Sequence, residues 1–351
     1  MNRYASLAGL SLNIDAYRLR GLSLQATPQF ERHTTLVSLE GRGRRGVGED
    51  VTYDVQAQAE LQQAGAAWPL AGAYTLDSFS RRLDDFDLFP KTPSQPGYRD
   101  YRRWAFESAA LDLALRQNEQ TLERSLGLEL CPLRFVSSMG LGDPPDPTTL
   151  PGWLELYPGL GFKLDVGQQW DEPLVARLAA TGAVEVVDLK GAYKGTPVDL
   201  EPEPALYACV LAGLPAAWVE DPAWTPGTEP LLEPNRERIT WDAPIHSVED
   251  IRGLRFKPRM INIKPSRFGR LSELMAAYDY CREEGIAMYG GGQWELGAGR
   301  DQIQHLAALF HPEGPNDVAP RGFNASKPTA GLPASPLAPP PAAGGFGWSD
   351  D

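Results

Sequence analysis

The spacing of apolar and polar positions divides the chain into two regimes. Apolar residues partly alternate over 10–24 and 34–39, which predicts β-strands. Gly41, Gly43, Gly46 and Gly48 predict a turn before 51–53. Helical spacing follows over 55–66 and 76–83. Residues 104–115 (WAFESAALDLAL) are apolar on most sides, the pattern of a buried helix. From Leu133 the rhythm changes, and short apolar runs alternate with helical stretches. Seven such runs, at 134–136, 161–164, 184–187, 217–219, 239–241, 260–263 and 286–289, start roughly 20 to 35 residues apart. This spacing predicts βα units on a parallel sheet, and seven or eight units predict a closed barrel. The Pro-, Ala- and Gly-rich segment from Lys327 onward reads as disordered or extended, although Phe346 and Trp348 hint that its end docks.

Composition narrows the function classes. At 351 residues, 42% hydrophobic and 23% charged, the chain can bury a large core. A net charge of −13 disfavours nucleic acid and anionic membranes, both of which need a basic footprint. Cys131, Cys209 and Cys281 are scattered, form no CxxC pair and read as reduced thiols of a cytoplasmic protein. The four histidines lack zinc-site spacing. The N-terminal segment has no long apolar run of the secretory type, and no stretch approaches the roughly 20 apolar residues of a membrane helix.

The chemistry lies at the strand ends, which form the reactive face of a barrel. Three consecutive predicted strands each end on an acid: Asp188, Glu220 and Asp242. Strand ends often carry solvated charges, so a single acid would say little. Three in succession are informative, because converging carboxylates repel unless a cation sits between them. An oxygen-only set suits a hard ion, magnesium first and manganese as the alternative. Lys163 ends the second strand two residues before Asp165, and Lys264 ends the sixth.

These residues resemble the enolase superfamily, and more closely its muconate lactonizing subgroup. The resemblance spans nearly the whole chain. It is carried by Gly46-Val-Gly-Glu-Asp50, Phe106-Glu-Ser-Ala109 with Asp112, Glu220-Asp221-Pro222, Asp242, and Lys264-Pro265-Ser266 with Gly269. Gly291-Gly-Gln-Trp-Glu295, with Gly299 and Arg300, is similar to the late-barrel segment of o-succinylbenzoate synthases and their epimerase relatives. The resemblance implies an α/β fold: a modified TIM barrel, (β/α)7β, under an N-terminal α+β capping domain. The expected division is cap 1–125, barrel 126–320, and a Pro-rich segment 321–351 returning to the cap.

It also implies a magnesium-dependent lyase or isomerase acting on a small carboxylate, and a homo-oligomer. A base removes the proton alpha to the carboxylate and the metal stabilises the enediolate. Epimerisation, elimination or cycloisomerisation follows. Superfamily sites use a lysine or histidine base with magnesium. Asp188, Glu220 and Asp242 take the ligand positions, Lys264 the base or acid position, and Lys163 the place that neutralises the substrate carboxylate. Glu295 and Gly291 fall where substrate or supporting contacts are made, and the cap segments 26–30 and 51–53 where specificity is set. Glu49 and Asp50 read as turn caps.

One departure stands out. The family's second strand-two lysine is replaced by Asp165, and Lys190 stands two residues after Asp188. In one arrangement Asp165 accepts a salt bridge from Lys190, which becomes the second acid/base opposite Lys264. In the other, Lys190 points to solvent and Asp165 pairs with Lys163. A third possibility is a non-catalytic relative that keeps the metal and binds a ligand or partner.

Overall fold

The computed structural model describes residues 2–27, 30–196, 198–325, 327–340 and 344–348. Of the cap segment 26–30, residues 28 and 29 lie outside these. Strands β1 (Ser11–Ile14), β2 (Ala16–Thr27), β3 (Phe30–Gly41), β4 (Arg44–Asp50) and β5 (Gly72–Thr75) form two antiparallel sheets, β2-β3-β4 and β1-β5. The single strand expected over 10–24 is broken at Asp15, whose N–H donates to Glu40 O at 2.7 Å.

Helix Tyr98–Gln117 explains its own composition. Ala105, Phe106, Ala109, Ala110, Leu113 and Ala114 are fully buried in it. Strand β4 lies directly on this helix. A Cβ at Gly46 would stand 2.4 Å from Ala109 O, and one at Gly48 2.0 Å from Ala105 O. The Gly-Val-Gly spacing is therefore a packing requirement as much as a turn signal. Asp50 does cap a turn, accepting from Thr52 N–H at 2.9 Å. It also forms a buried ion pair with Arg102 of the helix, at 2.8 Å.

Seven parallel strands follow: β6 (Val136–Gly140), β7 (Gly161–Asp165), β8 (Val184–Asp188), β9 (Trp218–Glu220), β10 (Ile239–Thr240), β11 (Met260–Ile263) and β12 (Ala287–Gly290). Asn262 N–H donates to Trp241 O at 2.9 Å and joins β10 to β11. Residues 316–317 close the ring. Asp317 N–H donates to Gly290 O, and Val136 N–H to Asn316 O, each at 2.8 Å. The Asn316 side chain strengthens this seam, accepting from Gly290 N–H at 2.6 Å and donating to Arg134 O at 2.9 Å. The architecture is a (β/α)7β barrel with an α+β cap.

The first barrel strand begins later than its apolar run. Leu133 instead exchanges backbone hydrogen bonds with Leu337, 2.8 and 2.7 Å long. Further along the tail, Phe346 N–H donates to Asp112 Oδ1 at 2.8 Å and its buried ring meets Trp104 edge-on. Among the described residues no helix is long and apolar enough to cross a membrane.

Candidate active site

Parallel strands end on a common rim, so residues at their C-termini face one another. Asp165, Asp188 and Glu220 are Cα partners in one row across β7, β8 and β9. Adjacent strands are about 4.8 Å apart, close enough for these carboxylates to repel strongly if nothing intervenes. The tightest acidic cluster is Asp188, Glu220 and Asp221, each offering an oxygen within 4.8 Å of the others. All three are buried.

Asp221 and Asp242 differ in what they hold. The Asp221 oxygens accept from Asp242 N–H at 2.9 Å and Ala243 N–H at 2.8 Å, so this side chain fixes the backbone that carries Asp242. Asp242 Oδ2 accepts from Lys264 Nζ and Tyr193 Oη, each at 2.9 Å. Its Oδ1 lies 2.9 Å from Arg267 Nη1.

Lys163 contacts Glu220 and lies 3.8 Å from Asp188 and 3.5 Å from Asp317. Lys190 Nζ sits between Asp165 Oδ1 at 2.8 Å and Asp188 Oδ2 at 2.6 Å. Its backbone is left-handed, with φ 51°, and its own N–H donates to Asp188 Oδ1. Tyr289 Oη donates to Glu220.

The electrostatics follow from this packing. Burial pushes Glu220 and Asp221 well above the ordinary carboxylate range; neighbouring carboxylates add to the rise, and Lys163 opposes it for Glu220. Burial acts on Asp242 too, but Arg267 and Lys264 outweigh it and hold the carboxyl well below its usual range. Lys190 and Lys163 do the same for Asp188. Burial disfavours the charged forms of Lys163 and Lys190, yet the surrounding carboxylates raise both above an ordinary lysine.

Gly291 N–H donates to Ile263 O, and a Cβ there would stand 2.6 Å from Lys264 Cε, so the glycine backs the lysine. Glu295 is buried away from this network. It accepts from Gln293 N–H at 2.6 Å and lies 3.3 Å from Arg300.

Several members were not singled out from sequence. Asp317 sits in the eighth strand position, where two residues pair without any apolar run to announce a strand. Arg267 is buried in the short helix Pro265–Phe268 after Lys264, and Tyr193 in the loop after β8 reaches back to Asp242. Strand-end spacing applied after helix Ala298–Phe310 would have found Asp317.

The network fits a hard divalent ion. Six carboxylates (Asp165, Asp188, Glu220, Asp221, Asp242, Asp317) surround four fixed cations (Lys163, Lys190, Lys264, Arg267), a formal imbalance of two negative charges. The donors are all oxygens, without His or Cys. A cavity of about 720 Å³ at the other end of the barrel, lined by Glu185, Trp218, Met260 and Ala287 near the strand starts, offers no such donor set.

Comparison with known proteins places this geometry in context. Residues 5–125 match the N-terminal domain model, and residues 129–325 the C-terminal domain model, of a domain of unknown function (DUF8230). An o-succinylbenzoate synthase of Geobacillus stearothermophilus is 24% identical over 88% of this chain and 85% of its own length. An N-succinylamino acid racemase of Thermus thermophilus is 24% identical over 88% of this chain and 86% of its own. A solved enolase-superfamily structure from Roseovarius nubinhibens superposes with a TM-score of 0.70 at 23% identity, covering 97% of this chain and 94% of the other.

Proposed function

Because the chain belongs to the DUF8230 family and has the enolase-superfamily fold, we propose that it removes the proton alpha to the carboxylate of a small acid, in a magnesium-dependent lyase or isomerase reaction. The observation that carries this reading is the pair of lysines, Lys190 and Lys264, held against a buried carboxylate cluster at the strand ends.

Asp188, Glu220 and Asp242 would hold the cation, with Asp221 orienting Asp242 through its backbone. When bound, a divalent ion draws electron density from the substrate carboxylate and so acidifies its alpha carbon. The protein supplies the rest. Lys264, 8% exposed and backed by Gly291, is placed to take or return the alpha proton at Nζ. The electron pair of the broken C–H bond is delocalised onto the carboxylate, where the Lys163 ammonium offsets the added charge. Lys190 serves as the second acid/base. Asp165 keeps it in place and balances its charge, taking over the role of a strand-two lysine by partnership. Protonation on the opposite face gives an epimer, and loss of a beta substituent gives an alkene.

The test is loss of the alpha-proton signal when N-succinylamino acids and related carboxylates are incubated with the protein and magnesium in D2O. Exchange that is abolished by Lys264→Met supports the reading. Magnesium binding without exchange across the panel would instead identify a metal-retaining binding protein.

A further inference from the structure

Two buried charges of opposite sign reach from the cap to a single barrel loop. Arg32 lies on β3 and Glu49 on β4, each 1% exposed. Among the described residues neither forms an ion pair. Both are held mainly by backbone dipoles instead; burial raises the Glu49 carboxyl above its ordinary range, and Thr34 and the loop amides oppose that rise.

Arg32 uses every donor of its guanidinium. Nε reaches Trp294 O at 3.3 Å and Nη1 reaches His33 O at 3.0 Å and Thr52 O at 2.9 Å. Nη2 donates to Val51 O at 2.5 Å and Gln293 O at 2.9 Å. The Tyr53 ring covers the group at 4.1 Å. Glu49 does the reverse, accepting from Leu296 N–H at 2.7 Å, Gly297 N–H at 3.0 Å and Gly299 N–H at 2.9 Å. The cation therefore takes the carbonyls at one end of loop 293–299, and the anion takes the amides at the other. Glycine is needed for so close an approach: a Cβ at Gly297 would stand 2.8 Å from Leu36 Cδ2, and one at Gly299 2.9 Å from Glu49 Oε2.

A buried charge is tolerable only while its partners stay in place. Neither the loop nor the cap can shift without stranding Arg32 or Glu49. The loop also touches the chemistry, since Gly291 just before it backs Lys264, and Gln293 Nε2 donates to Tyr101 Oη in the cap helix at 2.9 Å.

We propose that Arg32 and Glu49 are positioning residues that lock the cap and loop 293–299 into one body, so that the position of the cap is registered at Lys264. The lock stands on its own geometry; its consequence for Lys264 rests on the function proposed above.

The experiment is hydrogen–deuterium exchange by mass spectrometry on the full chain, comparing wild type, Glu49→Gln and Arg32→Lys. Each variant loses charge-assisted hydrogen bonds to the loop, so exchange should rise about tenfold or more. The lock requires the same response from both: faster exchange at 293–299 and at cap residues 51–53, with β7 to β9 unchanged. It is overturned if Glu49→Gln loosens only 296–299 and Arg32→Lys only the segments it touches. Gly297→Ala, which keeps both charges and wedges a methyl against Leu36, gives the same readout if a charge variant does not fold. Peptide-resolved reductive methylation tests the link to Lys264 without any substrate. Faster labelling of Lys264, with Lys163 unchanged, supports it. An unchanged Lys264 beside a loosened loop refutes the link, and leaves the proposed chemistry to the exchange assay in D2O.

Discussion

His311 sets an acid limit on the fold. Its ring is buried, with Nδ1 2.7 Å from Asn316 Oδ1. The Asn316 amide nitrogen donates to the carbonyls of Arg134, His311 and Gly314, so Oδ1 is an acceptor and Nδ1 of the histidine carries the hydrogen. Nε2 is then bare, with no hydrogen-bond partner among the described residues. Protonation would place a charge there beside the Tyr278 ring, 5.9 Å away. Burial outweighs the help of Asn316 and lowers the pKa from 6.5 to about 4. Above pH 6.5 the histidine is neutral in both the folded and unfolded states and adds no pH dependence. Between 6.5 and about 4 the unfolded chain takes a proton that the folded chain refuses, so stability falls as pH falls. At about 1.4 kcal/mol per unit the loss totals about 3 kcal/mol. Urea denaturation from pH 7 to pH 4 on wild type and His311→Gln isolates this contribution, because other titrating groups cancel in the difference. The stability advantage of wild type should shrink by about 3 kcal/mol on acidification. A difference that stays constant with pH would refute the reasoning.

Three further outcomes are expected. Phe346→Ala removes a buried ring that packs on Trp104 and should lower stability by about 3 kcal/mol in urea denaturation; an unchanged midpoint would show that the tail does not anchor the cap helix. Magnesium should raise the melting temperature, with a gain of about 2.7 kcal/mol at a hundredfold excess over Kd, and Glu220→Gln should abolish the response; an equal shift in that variant would remove Glu220 from the ligand set. Lys264→Met should slow alpha-proton exchange by about 100-fold or more, and Lys190→Met should slow epimerisation or elimination by a similar factor while exchange through Lys264 persists; full activity in Lys190→Met would leave Lys264 as the sole base.

The candidate site was legible wherever an acid or lysine directly follows an apolar run, because such a run fixes both the strand and its C-terminal end. Asp165, Asp188, Glu220, Asp242 and Lys264 have this signature, and Lys163 lies two residues before Asp165, inside the same kind of run. Asp317 lacks it, since its strand is a pair of bridged residues stabilised by the Asn316 side chain. Arg267 lies in a four-residue helix and Tyr193 in a loop, and neither is long enough to carry a periodicity that says which way a side chain faces. Glu49 read as a turn cap because its true partners lie some 250 residues away, beyond the reach of local pattern. The tail read as disordered from composition, yet a few apolar residues, Leu337 and Phe346 among them, meet matching surfaces that only the folded molecule provides.

The left-handed residues at the rim carry a consequence for how this protein can evolve. Among the described residues five non-glycine residues have positive φ, and three of them, Lys190, Asp221 and Trp294, stand around the barrel mouth. Each conformation costs roughly 1–2 kcal/mol that glycine would not incur. Glycine at position 190, 221 or 294 would relieve that cost, but would lose a lysine, the carboxylate that holds the Asp242 and Ala243 amides, or the Trp294 ring that meets Phe30. A library sorted only for thermal survival should therefore keep aspartate at 221, where glycine would strand the amides of Asp242 and Ala243.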